Sequence, residues 1–140
     1  MTAVRTNVFL LAGQAIQPGL VVDLLNLSLG AHAFAVSAAD RLGNGTTSTV
    51  TFTIIATPES LRVDLARFLQ NGAIGDKLSV SLRKKLDAAD AARARSDCLL
   101  SNRIYQSLID ELVAQSGKEV DAQAAATIIG DVQYVMGLCP

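Results

Sequence analysis

The chain has 140 residues, half of them hydrophobic, with 12 basic and 13 acidic side chains and a formal net charge of −1. A charge so near zero excludes strong electrostatic attraction to nucleic acid or anionic lipid, and no apolar run approaches the roughly 18 residues a membrane-spanning helix needs. The mean hydropathy of +0.35 therefore belongs to a core or an interface.

The longest apolar runs, residues 8–12 and 19–22, are strand-sized. They predict strands over Val4 to Leu11 and Gly19 to Leu24, separated by Gly13 and Pro18-Gly19. Strict alternation follows. His32, Phe34, Val36 and Ala38 fall on one face of an extended segment, and Val50, Phe52 and Ile54 on one face of another. Asp40-Arg41-Leu42-Gly43-Asn44-Gly45 lies between them and is dense in residues that bond backbone amides or tolerate positive φ. The pattern predicts a β-hairpin.

Charge divides the chain near Pro58. Residues 1–57 carry only Arg5, Asp23, Asp40 and Arg41, against ten basic and eleven acidic residues in the remainder. Helical periodicity begins at that boundary. Thr57-Pro58-Glu59-Ser60 reads as N-cap, first-position proline and first-turn acid. Leu61, Leu65, Phe68 and Leu69 form a stripe that Asn71-Gly72 ends; Leu78, Leu82, Leu86 and Ala89 form a second, running to about Arg95. Asp97 caps a third helix with Leu100, Ile104, Leu108 and Leu112 inward, ending at Ser116-Gly117. Asp121 caps a fourth, with Ala125, Ile128, Val132 and Val135 or Met136 inward. Short connections between four helices predict an antiparallel bundle. The expected fold class is α+β in two segregated parts: an incomplete antiparallel sheet over residues 1–57, then a small four-helix bundle over 58–140.

Few residues carry chemistry. His32 is the single histidine, and its place in the alternation is that of a half-buried strand residue. With no second histidine and no CxxC spacing, an ordinary zinc site is excluded. No nucleophile elbow, P-loop or GxGxxG motif occurs, so no catalytic residue, cofactor or metal is expected. Asp40 and Asn44 could offer oxygens to Ca²⁺, but two donors fall short of the six to eight that Ca²⁺ takes, and tying down the turn is the simpler role. Arg83-Lys84-Lys85, Asp87 with Asp90, and Asp110-Glu111 read as solvated helix faces. Tyr105 and Tyr134 are either exposed contacts or half-buried.

Cys98 opens the third helix and Cys139 follows the fourth. Both helices are about 18 residues long and antiparallel, so at 1.5 Å per residue the start of one lies level with the end of the other. A Cys98–Cys139 disulfide is expected, the alternative being two unrelated thiols, one buried and one on a frayed tail; the bond, if formed, supports an oxidising compartment.

Two stretches resemble known bacterial modules. Leu27 to Val36 (LSLGAHAFAV), with Asp40-Arg41-Leu42-Gly43-Asn44 and Val50-Thr51-Phe52-Thr53, resembles the last strands of bacterial Ig-like repeats. From Glu59 onward the chain resembles the helical module called FIMAH, through Gly72-Ala73-Ile74, Ser81 to Ala89 (SLRKKLDAA), Asn102, Ala114 to Lys118 (AQSGK) and Ile128-Ile129-Gly130-Asp131. Together the resemblances span roughly residues 20–138. They imply a non-catalytic C-terminal accessory region of an exported bacterial protein, extracellular or at the cell surface, acting in spacing, anchoring or interaction beside upstream catalytic or repeat domains.

An Ig-like sandwich needs about 100 residues and seven strands, yet only 57 residues precede Pro58. The short sheet leaves an apolar face for the helices or a second copy to cover, unless the chain is cut from a longer one, and a truncated sandwich is the favoured expectation. Residues 1–13 lack a signal-peptide cleavage pattern, so an export signal is expected upstream, with Met1 an internal or artificial start. The alternative function is self-association, a homodimer pairing incomplete sheets through the charge-poor N-terminal part.

Overall fold

In a computed structural model that describes residues 6–11, 14–17 and 19–139, the chain is α+β with its two parts segregated. It divides into two compact units, Met1–Ile54 and Ile55–Pro140. The first holds strands β1 (Thr6–Leu11), β2 (Gln14–Ile16), β3 (Gly30–Ala39) and β4 (Gly45–Ile54). The second holds helices α1 (Pro58–Gln70), α2 (Asp76–Ala94), α3 (Cys98–Gln115) and α4 (Ala122–Gly137). No described helix is long and apolar enough to cross a membrane.

The four strands form one antiparallel sheet in the order β2-β1-β3-β4. The expected hairpin is β3–β4, in register from Gly30 opposite Ile54 to Ala39 opposite Gly45. This register sets His32 against Phe52 and Phe34 against Val50, so the two apolar alternations share one face. The predicted strand over Gly19–Leu24 is absent. Gly19, at φ +78°, turns the chain, with Leu20 N–H donating to Gln17 O, and Asp23 caps a 3₁₀ turn at Leu24–Asn26. Leu20-Val21-Val22 is apolar without alternation, so it specifies no sheet face, and β1 takes the shorter Gln14–Ile16 as its neighbour instead. Val4, Gly13 and Pro18, which figure in the expected strands and their separation, lie outside the described residues.

The helix ends follow the sequence signals. Thr57 and Ser60 form a reciprocal capping box, Asp97 accepts from Leu100 N–H, and Asp121 accepts from Gln123 and Ala124 N–H. Helix α1 closes in a Schellman turn: Gly72 N–H donates to Leu69 O and Ala73 N–H to Phe68 O, with Gly72 at φ +80°. Helix α2 closes the same way, but Ser96 occupies the left-handed position at φ +61°.

Helix α1 packs on α2 and α4, and α3 packs on α2 and α4. The core comprises Leu61, Leu65, Leu78, Leu82, Leu86, Leu108, Leu112, Ile128, Val132 and Val135, with Ile74 and Val120 from the connections. The stripe on α3 departs from expectation. Leu100 is exposed and Ile104 half-buried, whereas Ser101 and Tyr105 are buried beside Leu108 and Leu112. A step of four residues advances 40° beyond a full turn, so Leu100-Ile104-Leu108-Leu112 wanders around the helix. Ser101-Tyr105-Leu108-Leu112 alternates fours and a three and stays on one line.

Placing a side chain at a left-handed position costs about 1–2 kcal/mol, part of which glycine returns as unfolded-state entropy. Ser96→Gly is expected to stabilise the chain by about 0.5–1 kcal/mol, and Thr57→Ala to destabilise it by about 1 kcal/mol, both read from urea unfolding. A Ser96→Gly variant no more stable than the parent would deny the strain at this turn.

Candidate functional site

The polar groups of the strand unit are held by the turns that present them. Asp40 Oδ1 accepts from Leu42 N–H at 2.8 Å and Asn44 N–H at 3.0 Å, and Oδ2 accepts from Asn44 Nδ2 at 3.0 Å. The Asn44 side chain, aided by its backbone N–H, holds the Asp40 carboxyl below its ordinary value. Asn44 thus turns its amide nitrogen, a donor, toward the carboxylate. The pair ties the hairpin rather than assembling a set of cation-binding oxygens. His32 is half-buried, donates from Nε2 to Ser28 O at 2.7 Å, and stacks on Phe52 with ring centroids 5.7 Å apart.

In the bundle, several charges read as solvated are instead load-sharing contacts. Arg62 on α1 donates to Asp87 at 2.9 Å and pairs with Asp90, both on α2, and these carboxylates raise its pKa further. Asp90 in turn accepts from the Tyr105 hydroxyl at 3.2 Å. Tyr105 is fully buried, so of the two tyrosines only the half-buried Tyr134 reaches solvent. Burial first, and the Asp90 charge second, push the Tyr105 phenol up to about 12. Lys85 pairs with Glu111 at 2.8 Å, and Ser81 donates to the same carboxylate at 3.0 Å. Burial pushes Glu111 up, but Lys85 and Ser81 more than reverse it, leaving its pKa lowered. Asp87, Asp110, Arg83 and Lys84 are exposed, as expected. The difference at Asp90, Lys85 and Glu111 arises because they flank the apolar stripes, where neighbouring helices converge.

The sequence reading passed over a buried carboxyl pair. Asp64 on α1 and Asp131 on α4 are 8 % and 9 % exposed and hydrogen-bond to each other. Two carboxyls can share such a bond only if one carries a proton. Burial pushes Asp131 up to about 6, and Asp64 adds to the shift. The available signal was spacing: Asp64 lies three residues after Leu61 and Asp131 three after Ile128, both within apolar stripes. Arg93 was also missed; it donates to Val135 O at 3.0 Å, satisfying a carbonyl in the last turn of α4.

Cys98 and Cys139 are joined, with Cα atoms 5.6 Å apart, as the antiparallel packing of α3 and α4 predicts. Among the described residues no group of three or more His, Cys, Asp or Glu could hold a metal ion.

The sheet leaves apolar side chains in contact with solvent. Among the strand-unit residues whose side chains are described, Leu11 alone is buried; Phe34, Val36, Phe52 and Ile54 are half-buried, and Val50 is 60 % exposed. The residues sharpest in chemistry therefore serve local structure, while the sheet offers contact area. Compared with protein-family models, with curated proteins and with solved structures, the chain matches none.

The buried pair gives stability a definite pH dependence. Between the ordinary value of 3.8 and about 6, the folded chain keeps a proton on Asp131 that the unfolded chain has released. Stability is therefore greatest below this window, falls as pH rises through it, and levels off above it. Asp131→Asn should flatten that slope in urea unfolding followed across the window; an unchanged slope would assign the titration elsewhere.

Proposed function

We propose that the chain is a non-catalytic accessory module of an exported bacterial protein, acting in spacing, anchoring or interaction. The observation that carries this reading is the Cys98–Cys139 disulfide, because such bonds persist in oxidising compartments and are rare in the cytosol. The similarity of residues 27–53 to bacterial Ig-like repeats, and of the helical unit to FIMAH modules, agrees with an extracellular or cell-surface setting. In such a setting, catalytic or repeat domains would lie upstream. The non-catalytic reading draws support from the single His32, whose Nε2 is engaged by Ser28, and from the carboxylates paired within the bundle.

A second reading, self-association through the sheet, is favoured by a separate observation: an apolar sheet face that keeps Val50 60 % exposed. A one-layer sheet offers a second copy both its apolar face and its strand edges.

The export reading is tested on protein isolated from its native host. After alkylation without reduction under denaturing conditions, the intact mass should carry no label, and the chain should fractionate outside the cytoplasm. Two labels per chain on cytoplasmic material would overturn the reading. Since the bond spans a separation of 41 residues, reduction should cost about 4 kcal/mol of stability in the loop-entropy account, measurable by unfolding with and without reductant.

A further inference from the structure

Strand β4 pairs with β3 alone among the described residues, so it forms one edge of the sheet. The opposite edge, β2, has three residues, whereas β4 has ten. Every second residue of an antiparallel edge strand directs its N–H and C=O away from its neighbour. Native edges are usually guarded by charge, proline, bulges or shortness. None of these guards β4. No charged residue and no proline occurs from Leu42 to Thr57. The register with β3 runs unbroken over ten residues, which leaves no bulge, and every residue from Gly45 to Thr51 is exposed.

We infer that β4 pairs antiparallel with β4 of a second copy, about a two-fold axis perpendicular to the sheet at Val50. The inference rests on the self-association reading and supplies its surface and register. An axis in this orientation keeps the faces together, so like faces meet. One face of β4 carries Thr47, Thr49, Thr51 and Thr53; the other carries Val50, Phe52 and Ile54 with Thr46 and Ser48. Centred on Val50, the pairing sets Thr49 against the partner's Thr51, Thr47 against the partner's Thr53, and Val50 against its own copy. Cross-strand Thr pairs are favourable, whereas a charged edge pairing with itself would set like charges close together. The neutrality of β4 suits a second copy of itself in a way no charged edge could.

The positions on β3 opposite this threonine row are Ala31, Ala33, Ala35 and Ser37, all small. The row therefore stands uncrowded, with Thr47 tied to Ser37 by a 2.8 Å hydroxyl contact. On the other face the pairing joins two apolar surfaces through Val50, widening the surface that Phe34 and Val36 begin. The interface is isologous, so it closes at two copies.

The test uses the full chain. Its mass by sedimentation equilibrium should rise with concentration toward twice that of one chain. Val50→Cys should form a covalent dimer under mild oxidant, since paired Cα atoms in a ladder lie within disulfide reach. Ser48→Cys, which faces the partner's Phe52, should not. Val50→Lys, at an exposed position, should retain its circular dichroism and weaken association by about ten-fold or more. A single-chain mass at every concentration overturns self-association and this inference together. A dimer indifferent to Val50→Lys and not linked through Val50→Cys overturns edge pairing alone. Equal cross-linking at both cysteine positions overturns the register.

Discussion

The helical unit depends on being closed at both ends. At one end the α1–α2 and α3–α4 connections pair as backbone. Gly75 N–H donates to Glu119 O and Asp121 N–H to Ala73 O, each at 2.8 Å, and the bridge buries Ile74 and Val120. At the other end Cys98 and Cys139 join the start of α3 to the end of α4. Helices of 13 to 19 residues are marginal in isolation and gain stability from packing. A closure at each end limits how far a pair can slide or splay. Between the closures, leucine and alanine packing can be plain, and polar contacts such as Arg62–Asp90–Tyr105 need only set the rotation of neighbouring helices.

What could be read in the sequence was what local chemistry encodes. Three of the four N-caps were legible because Thr57, Asp97 and Asp121 bond the amides that follow them. The fourth was not, because α2 begins after Gly75 with no side-chain cap. The disulfide was legible because it follows from the helix order, not from cysteine spacing. The inward face of α3 was misread by one residue, because leucine and isoleucine outrank tyrosine and serine in hydrophobicity. Tyr105 is buried whole with its hydroxyl satisfied from another helix, where Asp90 accepts it. A tertiary partner of that kind leaves no mark near Tyr105 in the sequence. The Asp64–Asp131 pair was hidden for the same reason: each carboxyl alone resembles a surface charge, and only α1 packing on α4 brings them together.

In the strand unit the hairpin was legible, since alternation and turn chemistry agree over Gly30–Ile54. The neighbour of β1 was not. Gly19 to Leu24 is the more apolar candidate, but an apolar run without a period does not say which side chains face the core. Gln14–Ile16 lies closer along the chain and wins the position with three residues. Local connection outweighed hydrophobic content.

The two units solve the problem of solubility differently. The bundle buries its leucine stripes and presents Arg, Lys, Asp and Glu outside, beside exposed apolar side chains such as Val63, Val80, Leu99 and Val113. The sheet has almost no charge to present, so among its described side chains the wetted surface is largely threonine and serine hydroxyls and small alanines, with Val50 exposed among them. Hydroxyls solvate a strand without repelling another strand, whereas charges do both. A ten-residue edge kept soluble by hydroxyls therefore remains a template for pairing, and its backbone groups set the geometry of whatever strand it meets. In this fold the absence of charge is itself a structural property: it leaves the edge neutral toward a copy of itself.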